Sequence, residues 1–586
     1  MEKQVIQSVG FRNLYEDGRA VGFQLKIRLP YYRGVFLSQI KPGSLAVDGE
    51  VFSPDQVLWK VGGETYTAAE MRADWKTHWH PLEPAVLVVK KEGGLAQGYH
   101  DIQYGFCCTH SYMPPFLESA ADPDKPEMVY MPEMGHMTPH RFWPSSEHCQ
   151  YLNVWTDHCD PAAKKPVLFW IHGGGYSAGS SIEQVCYDGF NLAKKDGLVV
   201  VSVNHRLNAF GYLDMSDFGE KYWNSVNVGM ADLVEALRWV KENIACFGGD
   251  PENVTIFGQS GGSGKVTVLG QIPEAEDLFQ KMIVMSGVIL AGDFDSDCSP
   301  KELVLEILKN LNIPESDAEK LEKVPVPQYI WAVNKACAAL ERQGKRVNWS
   351  PQPNSYYTCD PLVGDFSASA LQKPTIVGTV LAEFGPVYDL GERDALTTQE
   401  REAHVKKLCG EEGGEKILAA YRKAFPGKNE VYAVDVDTMF LPGTLEYVKK
   451  KAREASAPVY NYLFTKVFDI DGGRAAWHCS DIPYFFHNGE IIPVCQQENG
   501  DMLDAVMSGA FVNFARTGDP NCDGLPQWDK CEEGKLITMV FDDVCEAKVN
   551  LHDELLPLLQ QYKPKFEFHP HAVEDEDGES GNAWVF

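Results

Sequence analysis

The pentapeptide Gly258-Gln259-Ser260-Gly261-Gly262 follows directly on the apolar run Val254–Phe257. A G-x-S-x-G stretch in that place makes a tight strand-to-helix turn, which lifts the serine hydroxyl to the top of a sheet where it can attack a carbonyl carbon. Side chains on either side collide in so sharp a bend, hence the flanking glycines. Taken alone, the pentapeptide is equally a glycine turn without chemistry. A second glycine-rich stretch, His172-Gly173-Gly174-Gly175-Tyr176, follows another apolar run, Val167–Ile171. Backbone N–H groups in such a loop are available to an oxyanion, and the two stretches together point to acyl transfer.

A serine hydroxyl is a poor nucleophile until an imidazole takes its proton, and a carboxylate must hold that imidazole in the useful tautomer. Several motifs in this chain, in the same order, resemble the type-B carboxylesterase/cholinesterase family. They are Tyr151-Leu-Asn-Val-Trp155, Trp170-Ile-His-Gly-Gly-Gly175, Asn204-His-Arg-Leu-Asn208 and Phe247-Gly-Gly-Asp-Pro-Glu-Asn-Val-Thr-Ile-Phe-Gly-Gln-Ser-Gly-Gly262, followed by Ile482-Pro-Tyr-Phe485 and Asn513-Phe-Ala-Arg-Thr-Gly-Asp-Pro-Asn521. The resemblance runs from about residue 147 to about 545. It implies an α/β-hydrolase fold and cleavage of carboxylic esters by a Ser–Glu–His triad, with Ser260 as nucleophile. The family's G-T-x-x-x-E stretch corresponds to Gly378-Thr-Val-Leu-Ala-Glu383, which makes Glu383 the acid; Phe384 stands where the family usually has glycine. Its H-x-x-[DE]-[IL]-P-Y stretch corresponds to His478-Cys-Ser-Asp481-Ile-Pro-Tyr484, which makes His478 the base. The oxyanion donors carried over are the N–H groups of Gly174, Gly175 and Gly261. The chain order Ser, Glu, His is that of this fold, and the chemistry calls for no metal or cofactor.

The elements that must position these residues are legible as pattern. Val167–Ile171, Leu198–Val203, Val254–Phe257 and Met282–Met285 are short, almost wholly apolar runs, as expected of strands buried on both faces of a parallel sheet. Leu233, Leu237, Val240 and Ile244 recur at three- and four-residue spacing and mark an amphipathic helix between two of them. Strands alternating with helices imply a central, mostly parallel α/β sheet.

Upstream the texture is different. Val21, Phe23, Leu25, Ile27 and Leu29 alternate at period 2, and the runs Ala85–Val89 and Ile102/Tyr104/Phe106 are separated by glycine turns, so a small β-rich domain is expected over residues 1–114. Seven prolines between Met113 and Pro144 exclude a helix or central strand, which leaves an extended connector over 115–146 and the hydrolase domain over 147–586. Aromatic and methionine residues in the connector suit a β-domain docked on the hydrolase. The family's usual N-terminal segment is missing. Instead, Arg28-Leu-Pro-Tyr-Tyr-Arg-Gly34, Val47-Asp-Gly-Glu50, Tyr66-Thr-Ala-Ala-Glu-Met71, Gly94-Leu95 and Ser111-Tyr-Met-Pro114 resemble the β-subunit of bacterial C-glycoside deglycosidases. Deglycosidase activity does not follow, because the catalytic partner subunit of those enzymes is absent.

Composition narrows the partners. The 586 residues carry a formal charge of −30, which argues against a nucleic-acid partner. No apolar run approaches the about 20 residues of a membrane span, and Met1-Glu-Lys-Gln-Val is not a signal sequence. Fifteen scattered cysteines do not form a disulfide framework, so a cytoplasmic, reducing setting is expected, with Cys149 a free thiol and Cys107-Cys108 in a strand. His78, His80, His100 and His110 are the weak candidates for metal ligands, against a reading as loop histidines. The expected substrate is a small-molecule ester. Two other readings stand beside it: an esterase specialised for glycosylated or phenolic esters with the N-terminal domain shaping the site, and a non-catalytic, cholinesterase-like interaction protein.

Overall fold

The computed structural model describes residues 6, 10–28, 35–37, 40–74, 77–79, 84–96, 98, 100–108, 147–290, 296–384, 393–470, 472–564, 573–574 and 580–581. The expected connector over 115–146 lies outside them, and with it the expectation of docking. The described residues fall into two compact units, one before residue 109 and one from 147 onward.

The larger unit is built on a nine-stranded sheet. Its strands are β1 (Leu152–Trp155), β2 (Lys165–Ile171), β3 (Val199–Val203), β4 (Gly249–Gln259), β5 (Lys281–Met285), β6 (Thr375–Val380), β7 (Val459–Phe464), β8 (Ile537–Phe541) and β9 (Glu546–Val549), in the spatial order 1-3-2-4-5-6-7-8-9. Every pairing from β3 through β8 is parallel, and the two edge strands β1 and β9 run antiparallel to their neighbours. All four apolar runs lie in this sheet with every residue buried. Apolar side chains alternate to both faces, so a continuous hydrophobic run is stable only where both faces are covered.

Three helices matter for the site: α1 (Val228–Asn243), α2 (Gly261–Leu269) and α3 (Gly500–Thr517). The stripe Leu233, Leu237, Val240 is the buried face of α1, and Ile244 is buried in the following turn. Helix α2 packs on β2, β4 and β5, and α3 packs on β2 and β4. The register pairs Ile171 with Gly258, Gln259 with Met285, Met285 with Gly378 and Val380 with Phe464. The carboxyl ends of β2, β4, β5, β6 and β7 therefore lie along one edge.

The smaller unit carries little helix; among the described residues it has the α-helix Ala68–Ala73, capped by Thr67 through a capping box with Glu70, and the short 3-10 turn Pro54–Gln56. One sheet of five strands and one of three, both antiparallel, share a core that includes Phe23, Leu25, Trp59 and Leu87 from the first and Leu45 and Phe52 from the second. The alternation from Val21 belongs to the strand Arg19–Ile27, in which Phe23, Leu25 and Ile27 are buried. Cys107 and Cys108 close the strand Ile102–Cys108.

Candidate active site

Strand β4 ends at Gln259, and Ser260 turns the chain into α2 with φ 57° and ψ −129°, a conformation that L-residues rarely hold. Close backbone approach explains the neighbouring glycines. A Cβ on Gly258 would lie 2.5 Å from the Gly262 carbonyl carbon, and a Cβ on Gly262 would lie 2.0 Å from Ile171 O on β2. The Ser260 N–H donates to Met285 O at 2.8 Å, which ties the turn to the end of β5.

The glycine loop after β2 comes to the same place. Gly174 and Gly175 have φ of 87° and 62°. A Cβ on Gly173 would be 3.3 Å from Ser260 Cβ, and one on Gly261 only 2.2 Å from Gly175 O. Gly174, Gly175 and Gly261 are thus gathered around the serine turn. Among the described residues no hydrogen-bond acceptor engages their N–H groups.

Glu383 and His478, the expected acid and base, meet directly. Glu383 sits in the turn after β6, with φ 25°. Its Oε1 accepts the Val380 N–H at 3.0 Å, its Oε2 lies 2.5 Å from His478 Nδ1, and the His478 N–H donates to Glu383 O at 2.7 Å. Glu383 is 1% and His478 5% exposed. Burial pushes the Glu383 carboxyl up, opposed by the Ser286 hydroxyl and the Val380 N–H. Burial also drives His478 below its ordinary value, opposed by Asp481 and Asp437, so the imidazole is neutral and able to accept a proton. No hydrogen bond joins Ser260 to His478 among the described residues; the Gln259 amide nitrogen lies 3.3 Å from His478 Nε2 instead. Catalytic hydrogen bonds of this kind are commonly loose until substrate is seated.

Several neighbours were not apparent from sequence. Gln259, the variable position of the pentapeptide, touches His478 and accepts from the Cys479 thiol at 3.2 Å. Phe440 stacks on the His478 ring at 5.3 Å, and Phe384 packs on it at 4.5 Å. The phenylalanine in the family's glycine position therefore shields the imidazole from water. Asp437 accepts the N–H groups of Met439, Phe440 and Leu441, which seats Phe440. Asp481, two residues past Cys479, accepts from Tyr462 Oη at 2.8 Å. Asp481 is a sequence neighbour of His478 within the motif, whereas long-range packing brings Gln259, Phe384, Asp437 and Phe440 to it.

Of the weak metal candidates, His100 is the one whose side chain is described. Both ring nitrogens of His100 are engaged, with Asp48 Oδ2 at 2.6 Å and Ala96 O at 2.9 Å. His80 and His110 lie outside the described residues. Among the described residues no group of three or more His, Cys, Asp or Glu side chains is placed to hold a metal ion. No described helix is long and apolar enough to cross a membrane. Cys149 is a free, half-buried thiol.

A serine on a strained strand-to-helix turn above a mostly parallel sheet, followed along the chain by acid and base on later loops, defines an α/β-hydrolase. The carboxylesterase family matches residues 112–554, and the C-glycoside deglycosidase beta subunit family matches residues 1–112. The chain belongs to the carboxylesterase family, and it is a carboxylic ester hydrolase of the serine type. It is 30% identical over 404 residues to the para-nitrobenzyl esterase of Bacillus subtilis, covering 68% of this chain and 79% of that one. An esterase from Clostridium hathewayi, described as able to hydrolyse aliphatic aromatic polyesters, is 42% identical with a TM-score of 0.70, over 73% of this chain and 85% of that one. The N-terminal part is 64% identical over 137 residues to a C-glycoside deglycosidase beta subunit from Eubacterium cellulosolvens, covering 23% of this chain and 93% of that subunit. Esterase relatives favour an enzyme over the non-catalytic interaction protein.

Proposed function

We propose that Ser260 is the nucleophile, His478 the general base and Glu383 the orienting acid, with the N–H groups of Gly174, Gly175 and Gly261 as the oxyanion hole. His478 Nε2 takes the Ser260 proton as Oγ attacks the ester carbonyl, and the carbonyl oxygen gains the charge that the three donors stabilise. The tetrahedral species collapses, the alcohol leaves with the proton from His478, and an acyl-serine remains. Water, deprotonated by the same imidazole, then releases the acid and restores the serine. The observation that carries this reading is the 2.5 Å contact between His478 Nδ1 and Glu383 Oε2 beside the strained Ser260 turn.

The substrate is a small-molecule ester, handled without nucleic acid or membrane; the charge of −30 supports the first exclusion. Fifteen scattered cysteines support a cytoplasmic, reducing setting. We keep the partition into a β-rich domain over 1–114, a connector over 115–146 and a hydrolase domain over 147–586. Esters with an aromatic group are a second reading, supported by Phe384 and Phe440 on the imidazole.

Ser260→Ala tests the assignment. The hydroxyl lies on a turn, so its loss leaves the fold intact while turnover falls about 10⁴- to 10⁶-fold and labelling by a fluorophosphonate disappears. Hydrolysis within about tenfold of the parent sinks it. Rates on alkyl and aryl esters, with and without a sugar, separate the substrate readings.

A further inference from the structure

Lys265 lies on α2, little more than one turn after Ser260, and is 0% exposed. A buried ammonium is costly unless its donors are used, so what it touches shows what it holds. Its Nζ donates to Gly175 O at 2.7 Å and lies 3.4 Å from His172 O. It also lies 5.4 Å from the Tyr176 ring centroid. All three contacts fall on the glycine loop after β2.

That loop needs to be held. Three consecutive glycines leave their peptide planes free to turn, because glycine populates both signs of φ. The plane that carries the Gly175 N–H is pinned on its carbonyl side, since Gly174 O accepts from Ser177 and Ala178 at 3.2 and 3.0 Å. The next plane is pinned by Lys265 through Gly175 O. The same carbonyl rests against Gly261, where a Cβ would come within 2.2 Å of it. Gly175 O is thus caught between the lysine and the residue that follows the nucleophile.

We propose that Lys265 is a positioning residue of the oxyanion hole: it clamps the Gly175 carbonyl, fixes Gly175 on its carboxyl side and thereby holds the Gly175 N–H toward the developing oxyanion. The proposal rests on the esterase reading given above. The groups that face the ammonium are the Glu183 carboxyl, the His172 and His205 imidazoles and the Tyr176 ring. Burial holds both imidazoles neutral, lowers the Lys265 amine to about 7 and pushes the Glu183 carboxyl up to about 8; Glu183 opposes the lowering of the lysine, and the amine donates in either protonation state.

The experiment compares wild type, Ser260→Ala and Lys265→Met. Methionine fills the apolar part of the lysine channel and cannot donate. Measured quantities are kcat and KM on a chromogenic aryl ester, Ki for a trifluoromethyl ketone, and melting temperature. Ser260 Oγ adds to the ketone carbon, the serine proton passes to His478, and the carbonyl oxygen becomes an oxyanion in the hole. Ester hydrolysis by wild type that Ser260→Ala abolishes establishes the underlying reading; its absence refutes that reading and the proposal with it. Given that hydrolysis, Lys265→Met is expected to lose about 10- to 100-fold in kcat, less than removal of a whole oxyanion donor, with KM within about threefold. Ki for the ketone should rise by the factor that kcat/KM falls, because both report the oxyanion. A folded variant with a lower melting temperature but kcat and Ki within about threefold of wild type overturns the proposal, and so does a loss carried by KM alone. If Lys265→Met does not fold, Lys265→Leu, whose shorter side chain likewise cannot donate, is read by the same criteria.

Discussion

Glutamine in place of Glu383 keeps the side chain's size and removes its charge, and the surroundings decide which way its amide turns. One carboxylate oxygen accepts the Val380 N–H at 3.0 Å, and the other faces His478 Nδ1 at 2.5 Å. If the amide oxygen keeps the Val380 bond, the amide NH2 faces Nδ1. That nitrogen must then accept, the ring proton moves to Nε2, and the atom assigned to take the serine proton is already protonated. If the amide is reversed, its NH2 confronts the Val380 N–H in a site closed to water. Leaving a buried donor unsatisfied costs about 1–3 kcal/mol, so the productive tautomer lies that much higher. The carboxylate's charge is also gone when the imidazolium forms, and a hydrogen bond to a charged group contributes about 1.5–3 kcal/mol. Together these terms amount to a fall in kcat of about 10²- to 10⁴-fold. KM should stay within about threefold, since the substitution disturbs the tautomer and not the substrate pocket. Steady-state kinetics on an aryl ester, with the melting temperature as a check on folding, measures both. Turnover within about tenfold of wild type refutes the reasoning and means that another carboxylate orients His478.

Activity should fall at acid pH as His478 is protonated, because only the neutral ring accepts the serine proton. Burial lowers its affinity for that proton, so the acid limb of kcat/KM should lie below the ordinary histidine value of 6.5; a limb centred above 7 contradicts the shielding argument. Phe384→Gly removes a ring packed 4.5 Å from the imidazole, lets water in, and should move the same limb upward. Gly262→Ala places a methyl group 2.0 Å from Ile171 O, a backbone atom in the middle of the sheet, and should yield insoluble or strongly destabilised protein; a melting temperature equal to wild type contradicts the close packing of the serine turn.

What could be read from sequence follows the range of the interactions involved. The serine turn is compact: its glycines are dictated by backbone atoms four residues along the chain, on the adjacent strand and in the loop that follows that strand, so the pattern alone announces it. The four apolar runs are equally local statements, because a strand buried on both faces has no polar position to hide. Glu383 and His478 are 95 positions apart and were found only through family motifs, since a lone glutamate and a lone histidine carry no signature of their own. Gln259, Asp437 and Phe440 act by packing against His478 from other segments, and nothing in their spacing announces it. Lys265 on α2 reads as an ordinary helical lysine until the helix is seen to lie beneath the glycine loop. The connector's prolines were plain to read, but the segment lies outside the described residues.

The convergence of these distant residues is a consequence of strand direction. Parallel strands all end on the same edge, and there the last carbonyls and amides run out of ladder partners. The loops after β2, β4 and β6 carry the proposed glycine donors, the proposed nucleophile and the proposed acid, and β5 supplies Met285 O to hold the serine turn. A residue on any of these loops needs only a turn or two to reach the others, because the register keeps Ile171, Gly258, Met285 and Gly378 side by side across β2, β4, β5 and β6. His478 arrives from farther away, after β7 and the pair Val467–Phe468 and Arg474–Ala475, and is fastened by backbone: Ala476 O accepts from Ala382, and the His478 N–H donates to Glu383 O. Acid and base are therefore held by main-chain bonds as well as by their side-chain contact. The positioning of the imidazole then depends on Glu383 in two separable ways, and Glu383→Gln removes the charge while leaving the backbone fastening in place.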